Sequence, residues 1–163
     1  TYAQSYLLLN RLLSSAGYEH YEISNFARPG SRCLHNQAYW QRKTCLAAGS
    51  GAHGFDAMGY GKRTAITTDL KLYQQQLNAG QDPAELLEEF DQQQAMAETL
   101  YLALRTRDGI DQVAFTRRFG ISLEDAFPQA LDHLRPHLQQ KNNHYFFSVE
   151  SWLLYDHLIS HFL

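Results

Sequence analysis

The sequence predicts an α+β fold, mostly helical, in two parts, and three observations carry that expectation. Apolar residues recur at helical spacing in separate stretches: Tyr2, Tyr6, Leu9 and Leu13; Leu70, Tyr73 and Leu77; Ala97, Leu100, Tyr101 and Leu104. Residues 18–24 alternate instead, with Tyr18, His20, Glu22 and Ser24 against Glu19, Tyr21 and Ile23. Aromatic and β-branched residues suit a strand there. Finally, Leu138 to Val149 holds Asn142-Asn143 between strand-like residues, and paired asparagines supply the positive φ values of a two-residue hairpin turn.

In chain order, residues 2–16 read as an amphipathic helix that Gly17 stops, because glycine accepts the left-handed conformation without a Cβ clash. A helix followed at once by the 18–24 strand is half of an α/β unit. Residues at the C-terminal end of such a strand face a ligand, which points to Ser24 and Asn25. Ala27-Arg28-Pro29-Gly30 is turn chemistry. Cys33 to Arg42 reads as a short helix with His35 and Tyr39 on one face, and Thr44 to Ala48 as a short buried strand. Gly49-Ser50-Gly51-Ala52-His53-Gly54 reads as a flexible loop.

Composition shifts near 62–68, where glycine and aromatics give way to Gln, Leu, Ala and Glu; the boundary between the two parts is placed there. Thr68 or Asp69 caps a helix that ends at Gly80. Asp82-Pro83-Ala84-Glu85 reads as a further helix start, with Asp at N-cap and Pro at N1, so that Glu85 to Asp91 is a solvated first turn. A helix through Leu104 ends at Gly109. Short helices follow over Asp111 to Phe119, after Ser122 and from Pro128, then the hairpin, then a closing helix from Trp152 to Leu163. Two short helices and a hairpin are the layout of a winged helix.

Bulk properties exclude several functions. The net charge is −3 over 163 residues, which argues against a nucleic-acid partner, since phosphate contacts need clustered Lys and Arg. No apolar run is long enough to cross a bilayer. Cys33 and Cys45 are the only cysteines and do not form a C-x-x-C pair, so neither a redox motif nor a four-cysteine site fits within one chain. The expected setting is reducing and cytoplasmic.

Three motifs stand in a fixed order: Tyr21 to Ala27 (YEISNFA), then His35-Asn36-x-x-Tyr39-Trp40, then Gly49-x-Gly51-Ala52-His53. Together they resemble the oxygen-independent coproporphyrinogen III oxidase-like radical SAM proteins, and within these the HemW-type haem chaperones. Leu100 to Gly109, Phe119-Gly120 and Trp152 to Asp156 resemble that family's C-terminal domain. The resemblance covers the whole chain but only the C-terminal part of the family's length. It implies that residues 1–64 are the last part of a partial (β/α) radical SAM barrel, and that 65–163 are the appended winged-helix-like domain.

The resemblance also implies the chemistry. The family holds a [4Fe–4S] cluster on three cysteines in C-x-x-x-C-x-x-C, a pattern absent here, so this chain alone is expected neither to bind the cluster nor to cleave S-adenosylmethionine, and no catalytic residue is assigned. The matching histidine of the chaperones is implicated in holding haem, which makes His35 the candidate iron ligand. An imidazole suits that role, and Tyr39 and Trp40 beside Asn36 offer flat apolar surface to a porphyrin. The competing reading has His35 and Asn36 capping a helix, with Tyr39 and Trp40 in the core.

Gly49, Gly51, Ala52 and His53 are implied to border the S-adenosylmethionine pocket, although Ala47 stands where relatives often have glycine. Ser24, Asn25 and Arg28 are candidates for the ligand mouth. Cys33 reads as a buried small residue rather than a second ligand. His157 and His161 read as favourable groups at a helix end rather than as a zinc site. The implied partners are haem or a porphyrin and a haem-accepting client protein, with peripheral membrane association of the full-length protein. The alternative function is anaerobic decarboxylation of coproporphyrinogen III propionates. Oxidases proper lack the HNxxYW pattern, so its presence favours the chaperone branch.

Overall fold

The structure, a computed structural model, describes residues 1–162; Leu163 and the side chain of His161 lie outside the described residues. The chain divides into two compact units, residues 1–40 with 96–163, and residues 41–95.

The first unit opens with α1 (Tyr2–Ser15), started by a capping box in which the Thr1 hydroxyl accepts the Gln4 N–H and Gln4 Oε1 accepts from the terminal amine. Residues 18–24 are not one strand of an α/β unit. β1 (Glu19–Glu22) turns back antiparallel into β2 (Asn25–Ala27), with Glu19 opposite Ala27. The cause is local: the Glu22 carboxylate accepts the Ser24 backbone N–H at 3.0 Å and the Asn25 amide, which closes a tight turn where a longer strand was expected. α2 (Leu34–Trp40) follows the Pro29-Gly30 turn.

The second unit is a meander of β3 (His53–Asp56) and β4 (Lys62–Ile66), then α3 (Leu70–Asn78) and β5 (Ala84–Glu89), in sheet order β3-β4-β5. The expected strand at 44–48 reduces to a single bridge between Cys45 and Phe55. Asp69 is the cap of α3, accepting the N–H groups of Lys71 and Leu72. The helix expected from Asp82 is instead β5. Asp82 accepts only the Ala84 N–H, as in an Asx turn. The acidic residues then face basic ones on β4, with Lys62–Glu89 at 2.9 Å and Arg63–Glu88 at 3.5 Å. This strand delivers Phe90 to a core where the Arg42 guanidinium lies about 5 Å from the Phe55 and Phe90 rings.

The helix start moves to Asp91, which exchanges hydrogen bonds with Gln94 and opens α4 (Gln92–Leu104). Beyond it lie β6 (Ile110–Asp111), α5 (Gln112–Phe119), α6 (Leu123–Ala126), α7 (Pro128–Leu134), β7 (Leu138–Lys141) and β8 (His144–Phe147). The sheet order β6-β8-β7 places a short first strand against the hairpin, the winged-helix arrangement. Asn142 takes φ 53° in the turn. Phe115, Phe119, Leu123, Leu131, Leu134 and Phe147 are buried among the core residues of this unit.

The closing helix breaks into α8 (Val149–Trp152), α9 (Tyr155–Ile159) and a 3₁₀ turn over Ser160–Phe162. Leu153 and Leu154 bond to carbonyls three residues back, which tightens the chain at the break. The buried Trp152 indole donates to the Leu104 carbonyl at 3.0 Å. All three sheets are antiparallel, no barrel closes among the described residues, and the fold class is α+β, as the sequence predicts.

Candidate functional site

α2 sets out the motif residues by helical spacing. His35 and Tyr39, four apart, lie edge to face with ring centroids 4.9 Å apart. His35 is exposed, Tyr39 is 40% exposed and the neighbouring Leu34 is 81% exposed. Among the described residues, no hydrogen bond engages the His35 ring. His35 and Asn36 sit inside the first turn of α2, and Tyr39 is too exposed to be core. Cys33 is exposed, not buried as the sequence suggested, because it precedes the helix on an open loop.

Trp40 faces the other way and is partly buried. The Arg105 guanidinium lies 4.5 Å from its ring, and Arg105 Nε is 3.3 Å from Glu22 Oε2. Glu22 has no exposed surface. Its other oxygen is held by Ser24 and Asn25, two of the expected ligand-mouth residues, so the structure employs both in orienting a buried carboxylate. The third, Arg28, is exposed with its guanidinium 5.6 Å from the Tyr18 ring. Ile23 N–H donates to the Arg105 carbonyl and Arg107 N–H to the Tyr21 carbonyl, which ties β1 to the end of α4.

His20 lies beside this pair at 1% exposure, stacked on Phe26 with centroids 4.0 Å apart. Nε2 is 3.1 Å from the Ile23 carbonyl and Nδ1 is 3.2 Å from Asn10 Oδ1. Burial holds its pKa below the ordinary 6.5, so the imidazole is neutral and donates once. Its one N–H serves either the Ile23 carbonyl through Nε2 or the Asn10 amide oxygen through Nδ1. Burial likewise raises the Tyr6 and Tyr155 phenols, leaving both protonated.

Sequence reasoning assigned no role to His20, Glu22 or Arg105. The available signal was two ionisable residues, His20 and Glu22, on the same face of a strand that carries Tyr21 and Ile23 on the other. A half-buried strand would expose them; a strand covered on both sides buries them, and they must then be paired.

In the second unit, Gly49 and Gly51 take φ values of 96° and 77°. The loop they form is tied down rather than free. Gly51 N–H and the Ser50 hydroxyl both donate to the Thr67 carbonyl, at 3.0 and 2.8 Å. Ala52 is partly buried; its N–H donates to the Gly49 carbonyl and its carbonyl accepts from Ile66 N–H, while His53 is exposed at the start of β3. A Cβ on the buried Gly54 would come within 2.7 Å of Thr64 Oγ1, so this glycine just after the motif lets β4 pass.

Among the described residues no group of three His, Cys, Asp or Glu could hold a metal ion, and Cys33 and Cys45 do not furnish the thiolates of an iron–sulfur cluster. His133 Nδ1 is 2.8 Å from the Gln129 carbonyl, an ordinary contact within α7. Among the described residues no helix is long and apolar enough to cross a membrane.

Comparison with known proteins gives a consistent picture. Residues 90–141 match the HemN C-terminal domain family. The chain is 30% identical over 132 residues to the haem chaperone HemW of Bacillus subtilis (strain 168), covering 81% of this chain and 34% of that protein. It is 44% identical over 63 residues to the mitochondrial radical S-adenosyl methionine domain-containing protein 1 of Bos taurus, covering 38% of this chain and 14% of that one. The fold matches a solved structure of coproporphyrinogen III oxidase (HemN) from Escherichia coli, a radical SAM enzyme. The TM-score is 0.71 and the identity 15%, over 96% of this chain and 39% of the other. The chain spans about a third of the length of the HemW relatives it matches most extensively. Motif order, sequence similarity and fold thus agree, and the chain is a HemW/HemN-like polypeptide that corresponds to the C-terminal part of these proteins.

Proposed function

We propose that this chain is the part of a haem chaperone that presents an iron ligand, within a cytoplasmic radical SAM protein of haem metabolism that binds haem and passes it to a client. One observation carries the reading: His35 is exposed on α2, with its ring in no hydrogen bond among the described residues, beside Tyr39 and the exposed Leu34. An imidazole in that state can coordinate iron without first losing a protein partner. The adjacent aromatic and leucine side chains offer flat apolar contact to one porphyrin face. Trp40, partly buried beneath Arg105, fixes how α2 is seated rather than touching haem.

On this reading residues 1–64 are the end of a radical SAM barrel and 65–163 its appended domain, a division by ancestry rather than by compactness. Gly49, Gly51, Ala52 and His53 would face S-adenosylmethionine in the full-length protein. No step assigned to this chain runs through the cofactor or the cluster. The fold's likeness to an oxidase supports the alternative reading, decarboxylation of coproporphyrinogen III, and activity of the full-length protein on that substrate would favour it.

The test is a titration of haemin into the chain, followed in the Soret band, beside His35→Ala. A saturable change is expected in the wild type, weakened on the order of tenfold or more in the variant. Equal binding by both would remove His35 as the ligand.

A further inference from the structure

We propose that the first unit carries a second ligand site, between α1 and the α8–α9 break, for a planar aromatic carboxylate. A cavity of about 490 Å³ lies there, lined by Tyr2, Tyr6, Arg105, Trp152 and Tyr155 among others. That volume falls in the range of roughly 300–1,000 Å³ occupied by small-molecule sites. Its aromatic walls supply flat apolar area on side chains with few torsions to freeze.

Arg105 gives the site its polarity. Its guanidinium is held from behind by Glu22 at 3.3 Å and bounded by the rings of Trp40 at 4.5 Å and Tyr155 at 5.8 Å. The contact with Glu22 is an ion pair without hydrogen-bond alignment, and Nε and Oε2 are both buried without such a partner. Glu22 therefore orients the guanidinium without saturating its donors, and a planar guanidinium fixed in advance suits bidentate binding of a carboxylate. Asp156 also lines the cavity, so an anionic ligand enters with its carboxylate turned from Asp156 toward Arg105 and its ring among the aromatics. Tyr6 and Tyr155 stay neutral and do not repel it. This site lies apart from His35, which does not line the cavity.

The choice of a porphyrin as the ligand rests on the haem reading. The test uses metal-free protoporphyrin IX and its dimethyl ester, with binding read from quenching of tryptophan fluorescence. The acid is expected to bind saturably and the ester at least tenfold more weakly. Arg105→Lys keeps the charge beside Glu22 but loses the fork, and should weaken the acid toward the ester. Tyr2→Ala, at an exposed position where folding is not at stake, should weaken both. His35→Ala should change neither, so a failure of the haem-ligand reading leaves this result standing. Equal binding of acid and ester by the wild type, or loss of binding in His35→Ala with none in Tyr2→Ala, would overturn the proposal.

Discussion

A carboxylate with no exposed surface has to be paired and hydrogen-bonded by what surrounds it; Glu22 is paired with Arg105 and accepts from Ser24 and Asn25. Removing the carboxylate leaves a guanidinium unopposed and frees the turn of the hairpin. Glu22→Ala is expected to cost about 3 kcal/mol, read as a lowered urea midpoint, because breaking one side of a buried pair strands the other. His20 carries a pH dependence. Its folded pKa lies below 6.5, chiefly through burial, so the unfolded chain binds a proton more readily than the folded one. The neutral form stabilises the fold fully above the unfolded value, and that contribution is lost as the pH falls below it. Between pH 7.5 and 5.5 the urea midpoint should therefore drop more in the wild type than in His20→Gln. Parallel curves would show that His20 is not the group responsible. The identity of these residues was plain in the sequence but their pairing was not, because nothing in a strand's alternation says that a second layer covers it.

At the scale of elements, helical periodicity read correctly wherever a cap agreed with it. α1, α3 and α5 start within one or two residues of where their stripes and caps put them, and the Asn142 turn closes the wing. The failure at 82–91 was a conflict between local and tertiary signals. Asp-Pro-Ala-Glu is a sound helix start, yet Lys62 and Arg63 on β4 offer cross-strand partners to Glu89 and Glu88, and Asp91 has its own capping box. Tertiary pairing overrides propensity in so short a segment. Reversing the charges tests this: Lys62→Glu should weaken the second unit by up to about 1 kcal/mol, and Glu89→Lys on the same background should restore it. Gly109 marks the wing's tightest point. It has φ 68°, and a Cβ there would collide with the Tyr145 carbonyl. Gly109→Ala should cost more than about 1 kcal/mol and be felt first at β6 and β8, as faster amide exchange there.

For the whole molecule, the family was legible because three motifs stand in order, and the fold likeness extends over 96% of the chain. The exposure of His35 was not legible, since an HNxxYW helix can turn either face outward. That exposure shapes the functional account. On the proposed reading, an iron ligand on an open helix face, with apolar contact on one side only, would hold haem loosely enough to release it, whereas a buried ligand would retain it. The most direct test is transfer. The chain is loaded with one equivalent of haemin and mixed with excess apomyoglobin, and the Soret band of the acceptor is followed in time. The account requires haem to pass from the chain more slowly than from free haemin, and His35→Ala to shorten that delay. Transfer at the rate of free haemin from both proteins would contradict it.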